Sequence, residues 1–117
     1  MNERKDGCIF CRIAAGELGT VFLYESENVV AFDDVAPQAP THVLVIPRTH
    51  LQDLSALAGE HRELASEMIE AATRVAVDRG LSDTGFRVLS NVGDDAGQTV
   101  DHVHFHVLGG TKLAKMG

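Results

Sequence analysis

From Gly97 to Leu108 the chain reads Gly-Gln-Thr-Val-Asp-His-Val-His-Phe-His-Val-Leu, with three of its six histidines at strict alternation. Alternation is the period of a β-strand. His102, His104 and His106 are therefore expected on one face, with Val103, Phe105 and Val107 on the other, where they can be buried. Same-face neighbours along a strand are about 6.5–7 Å apart, so such a row can put one ring on a metal and the next on a substrate. A neutral imidazole is a competent nucleophile with a pKa near neutrality. Its other nitrogen must then hold the proton, usually by donating to a carbonyl or carboxylate. Gly97, Gln98 and Thr99 form a polar turn before the row. Their N–H groups and hydroxyl suit the oxygens of a phosphate.

Cys8 and Cys11 are the only cysteines, in a C-x-x-C arrangement that points to metal binding or redox chemistry. A redox site of the thioredoxin type follows a strand in a βαβ unit, and nothing before Cys8 reads as a strand. Two thiolates plus two imidazoles make the closed tetrahedral shell that zinc favours in structural sites. His50 and His102 are candidates for the imidazoles, but they lack the short spacing of a zinc-finger pair, so spacing does not select two histidines from six. In the competing reading both cysteines are small buried hydrophobes. A zinc would pin the N-terminal segment to the sheet and add folding free energy.

Those side chains need a frame. Cys8 to Ala15 reads as a short helix stopped by Gly16. Val21 to Glu25 and Asn28 to Asp33 read as a hairpin, and His42 to Pro47 as a central strand. The loop from Asp33 to Pro40 carries two prolines and no periodicity. A helical turn is expected over Leu51 to Ala58, with Leu54 and Leu57 inward. Glu60 to Arg79 is a long helix with Leu64, Met68, Ala71, Ala72 and Val75 on one stripe, closed by Gly80. Phe86 to Asn91 and Val100 to Leu108 supply two more strands, and Thr111 to Gly117 is a short polar tail. Strands grouped around one long helix predict an α+β fold with a mostly antiparallel sheet, in a single domain over 1–117.

A net charge of −7 and the lack of a basic patch argue against nucleic acid as partner. A phosphorylated small molecule would have to be held by local N–H groups and imidazoles. No apolar run approaches the roughly 18–20 residues of a membrane span, and the polar start predicts no secretory signal, hence a cytoplasmic protein. P-loop, Rossmann and G-x-S-x-G serine hydrolase signatures are absent.

The run from His102 to Leu108 resembles the histidine triad, H-φ-H-φ-H-φ-φ, of the HIT family. Cys8 to Ile13 resembles that family's N-terminal segment, Phe32 to His42 its nucleoside-binding strand and loop, and Asn91 with Gly97 to Val100 the lead-in to the triad. The branch it is most similar to is Hint-like, the adenosine 5′-monophosphoramidases and related bacterial proteins. The resemblance implies a five-stranded antiparallel sheet with one short N-terminal and one long helix, dimerising into a ten-stranded sheet. It implies a purine nucleotide substrate carrying an ester or amide at phosphorus. His104 would be the nucleophile, passing through a nucleotidyl-histidine, with His106 and His42 in support. Asp34 would accept from the ribose hydroxyls, and Ile9, Phe10, Phe32 and Val35 would wall the base. Asn91, Gln98 and Thr99 would contact the α-phosphate or leaving group. Zinc on Cys8, Cys11, His50 and His102 is also implied, as a structural metal. Other substrates open within the family are dinucleoside polyphosphates and aminoacyl-adenylates. A non-catalytic, zinc-stabilised nucleotide-binding protein is a further reading. Thr99 stands where animal Hint proteins usually have serine, and the tail lacks their Trp-Pro-Pro ending.

Overall fold

The computed structural model describes residues 2–116; Met1 and Gly117 lie outside the described residues. Five strands form one antiparallel sheet in the order β1-β2-β3-β5-β4. They are β1 (Tyr24–Glu25), β2 (Val29–Asp33), β3 (Thr41–Pro47), β4 (Phe86–Leu89) and β5 (Phe105–Gly109). β3 is buried along its whole length, as its unbroken apolar run requires of a central strand covered on both faces.

Each face carries one helix. On one, α2 (Arg62–Asp78) packs Met68, Ala71, Ala72 and Val75 onto Val29, Ala31, Val43, Val45, Val103, Phe105 and Val107. On the other, α1 (Ile9–Ala14) packs Phe10 and Ala14 onto Val30, Phe32, Leu44 and Ile46. The period-2 split of β2 and β3 between these two clusters fixes the register, because a one-residue slip would exchange the two cores. Arg48 anchors α1 by donating from Nη1 to the Ala14 carbonyl at 2.7 Å and from Nε to the Ser26 carbonyl at 3.0 Å.

The clearest departures from expectation are in β1, at Leu54 and at the start of β5. β1 is only two residues long, because the adjacent Leu23 and Tyr24 both pack against the α2-side core and the alternation breaks there. Leu54, expected inward, is exposed; Leu57 alone fills the core from that 3₁₀ turn. β5 begins at Phe105 rather than Val100. The β3–β5 ladder runs from Thr41↔Gly109 to Val45↔Phe105, just short of Pro47, which has no N–H to offer. Residues 100–102 bend instead of pairing, and Val103 N–H donates to the Leu51 carbonyl at 2.7 Å. Among the described residues no helix is long and apolar enough to cross a membrane.

Candidate functional site

Sheet register assembles the site on the α1 face. Phe32 pairs with Leu44, and Leu44 with His106, giving one row across β2, β3 and β5. One step along, Asp34 N–H donates to the His42 carbonyl at 2.9 Å. His42 faces Leu108 across the β3–β5 pair, so His106 is its diagonal same-face neighbour, within reach of a ring. Asp34, His42 and His106 thereby converge, with their ligand atoms within 4.8 Å of one another.

Backbone groups decide the tautomer of each ring, since an amide N–H can only donate and a carbonyl can only accept. Gln38 N–H donates to His42 Nδ1 at 2.9 Å. The His42 proton is therefore on Nε2, which donates to His106 Nδ1 at 2.8 Å, with Asp34 Oδ2 a longer 3.4 Å away. That leaves the proton of a neutral His106 on its own Nε2. His104 Nδ1–H donates to the His102 carbonyl at 2.8 Å, so His104 Nε2 carries the free lone pair. Ser90 Oγ–H donates to the His104 carbonyl at 2.7 Å and holds that peptide.

Burial pushes the His106 imidazole down to about 4, and the neighbouring His104 and His42 rings add to the effect. Burial lowers His104 too, against the opposing pull of its bond to the His102 carbonyl and of Asp34. Both rings are thus neutral near pH 7, the state in which one offers a lone pair for attack and the other an N–H for a hydrogen bond.

His104 and His106 line a cleft of about 430 Å³ together with Ile9, Phe10, Phe32, Asp34, Val35 and Thr99. Eight of the residues singled out from sequence therefore meet in one cavity, with His42 directly behind His106. Asn91, Gly97 and Gln98 are not among its lining residues. Gly97 N–H bonds to the Asp94 carbonyl and Gln98 N–H to the Gly93 carbonyl. The Gln98 side chain accepts from Gly93 N–H and donates to the carbonyls of Gln52 and Val100. Most donors of that turn are thus spent on shaping it, with Gly97 in the left-handed conformation at φ +80°, and Thr99 is the member that reaches the cleft. Ile13, Leu18, Thr20, Asp33, Leu44 and Val100 also line the cavity and were not singled out. The period-2 pattern offered a signal for Leu44, two residues beyond His42 on the same face.

The second cluster lies at the other end of the triad. Cys8 Sγ is 3.4 Å from His102 Nδ1, and Cys11 Sγ is 3.4 Å from His50 Nδ1 and 3.6 Å from His102 Nδ1. Zinc–sulfur and zinc–nitrogen bonds of ordinary length at a tetrahedral angle give an S···N edge of about 3.6 Å. His102 Nε2–H donates to the Pro47 carbonyl at 2.9 Å, so its Nδ1 lone pair faces the thiols, the tautomer a metal ligand requires. Burial pushes His102 down to about 4, lowers His50 and raises the Cys11 thiol. A dication would offset the cost of ionising that thiol. The donor set and tautomer fit zinc, and the two cysteines are brought together with His50 and His102, the pair that spacing alone did not select from six histidines.

Three comparisons place this geometry among known proteins. The HIT domain profile matches residues 15–113. The chain is 42% identical over 104 residues to protein HitA of Neisseria gonorrhoeae, covering 89% of this chain and 96% of that protein. It is 36% identical over 108 residues to the purine nucleoside phosphoramidase of Escherichia coli (strain K12), covering 92% of this chain and 91% of that one. Among solved structures, a histidine triad protein from Clostridium difficile superposes with a TM-score of 0.92 at 38% identity, covering 97% of this chain and 99% of that one.

Proposed function

This chain belongs to the HIT family, and we propose that it hydrolyses a purine nucleoside 5′-phosphoramidate, or a related AMP conjugate, through a nucleotidyl-histidine on His104. The observation that carries the reading is the His104 tautomer: Nδ1–H is tied to a carbonyl and the ring lines the cleft, leaving Nε2 as a nucleophile. Its lone pair forms a bond to phosphorus while the bond from phosphorus to the leaving amine breaks. The leaving amine takes its proton from solvent, while His106 Nε2–H, held in place by the chain from Gln38 through His42, donates a hydrogen bond to a non-bridging phosphate oxygen. Water then attacks phosphorus, the bond to His104 opens, and the nucleoside monophosphate leaves.

Asp34 accepts from the ribose hydroxyls and the apolar lining of the cleft takes the base. Thr99 supplies a hydroxyl to a phosphate oxygen or to the leaving group. Cys8, Cys11, His50 and His102 would hold zinc, which would supply a cross-link between α1 and the segments that follow β3 and precede β5. A homodimer would form through β4, which pairs only with β5 and exposes Phe86 and Val88 at the sheet edge.

The test is incubation with adenosine phosphoramidate, with AMP release followed and the acid-quenched protein weighed. A transient adduct of one AMP on the wild type, absent from His104→Ala, is expected. Binding of AMP without turnover would favour a nucleotide-binding role instead. Faster release from a dinucleoside polyphosphate or an aminoacyl-adenylate would move the substrate assignment and keep the nucleophile.

A further inference from the structure

We propose that the Cys8–Cys11–His50–His102 cluster positions the nucleophile, with His102 acting on His104 through its own main-chain carbonyl. The inference rests on His104 as nucleophile, the reading given above. One peptide unit, between His102 and Val103, joins the two sites. Its carbonyl accepts from His104 Nδ1–H at 2.8 Å. Its N–H donates to the Leu51 carbonyl at 2.7 Å. Leu51 follows His50 directly, so both ends of this peptide are referred to cluster residues.

Apart from the core packing of Val103, the peptide has no sheet frame. It lies in residues 100–104, outside the β3–β5 ladder. What fixes it on the carbonyl side is the fully buried His102 ring, tied through Nε2–H to the Pro47 carbonyl and facing the two thiols through Nδ1. A metal joining His50 to His102 closes a ring of contacts around this peptide and fixes the direction of its carbonyl. That direction sets both the tautomer of His104 and the aim of its Nε2. A misplacement of about 1 Å at a nucleophile can cost on the order of 100-fold in rate. The cluster is thus a positioning device for the reaction as well as a cross-link, and His102 is a positioning residue.

The experiment compares zinc-loaded protein with protein stripped by chelator, using ¹⁵N-histidine NMR alongside turnover. In the loaded form His104 is expected as the single Nδ1–H tautomer. In the stripped form a tautomer mixture is expected, with kcat down about tenfold or more and AMP affinity changed no more than about twofold. Arg48→Ala is the control for mere loosening of α1, since it removes the anchor on Ala14 and touches neither cluster. It should weaken AMP binding and leave the His104 tautomer intact. An unchanged tautomer and kcat after complete metal removal would overturn the proposal, as would a loss carried wholly by AMP affinity.

Should the stripped protein unfold, the reciprocal measurement uses folded, loaded protein. Coupling between sites is mutual. His104→Phe keeps the ring and deletes Nδ1–H, so it should release zinc to a competing chelator more readily than wild type or His106→Phe. Equal zinc affinities in all three would sink the coupling. Full turnover in His104→Phe would instead remove the nucleophile assignment.

Discussion

The molecule holds two histidine clusters built from similar parts, and they do opposite things with a proton. In the thiol cluster, the Pro47 carbonyl takes the Nε2–H of His102, so a lone pair faces the cysteines. In the carboxylate cluster, the Gln38 amide takes the Nδ1 lone pair of His42, so an N–H faces His106. Asp34, His42 and His106 lie close enough to suggest a two-histidine, one-carboxylate metal site. The Gln38 donor argues against it, because the nitrogen of His42 that faces inward carries hydrogen. One main-chain atom behind each ring thus separates a lone pair open to a metal from an N–H open to a neighbouring ring. Side-chain inventory alone does not predict metal chemistry; the group on the far nitrogen does.

The sharpest way to break this contrast is to delete one ring from each cluster. His102→Ala should lose its metal and leave a cavity, at a cost of about 3–5 kcal/mol of stability. Urea unfolding and elemental analysis read both losses, and a variant with wild-type stability would mean that no metal cross-link exists. His42→Phe should keep one zinc per chain and unfold near the wild-type midpoint. Its kcat should drop about 100-fold, because His106 loses the donor that keeps its proton on Nε2. Were His42→Phe to lose zinc as well, the two clusters would not be separable. Asp34→Asn is a smaller change, in the carboxylate cluster. It should raise KM for ribonucleotide substrates about tenfold, roughly one charge-assisted hydrogen bond, with little effect on 2′-deoxy substrates. Equal effects on both sugars would detach Asp34 from the ribose.

Much of this contrast was legible in the sequence, and the part that was not has a common physical origin. Residue type and period exposed the triad, the C-x-x-C and the stripe of the long helix, since chemistry and burial are side-chain properties. The sheet followed from the apolar runs of β2 and β3. What sequence did not expose are the acts of backbone atoms: the Gln38 amide, the Pro47 carbonyl and the carbonyl of His102. Any residue has those groups, so no letter marks them. Gln98 shows the reverse case. Its type suggested a phosphate donor, yet its amide is spent on Gly93, Gln52 and Val100, holding the loop that presents Thr99. Ser90 is a hydroxyl whose role depends on the end of β4 bringing it to the His104 carbonyl, 14 residues away in the chain. The early end of the β3–β5 ladder was the one backbone effect with a letter attached, the missing N–H of Pro47.

The smallest effect separates the clusters by acid. His106 in the folded chain is depressed to about 4 by burial and its neighbours, while an imidazole in the unfolded chain titrates near 6.5. Between those values the unfolded chain binds the proton and the folded chain does not, so stability falls as pH drops from about 6.5 toward 4. Above about 7.5 the contribution is complete and flat. At pH 5.5 this linkage alone amounts to about 1 kcal/mol, taken below the full value because His106 is only half-buried. His102 is depressed to a similar value, but there a proton competes with the metal for Nδ1 as well. Excess zinc should therefore shift only the thiol-cluster part of the acid transition. Urea titrations at pH 5.5 and 7.5, with and without added zinc, isolate the two parts. His106→Asn should remove about 1 kcal/mol of the pH dependence that zinc does not touch. An unaltered pH dependence in that variant would show that His106 is not a neutral, desolvated ring in the folded chain.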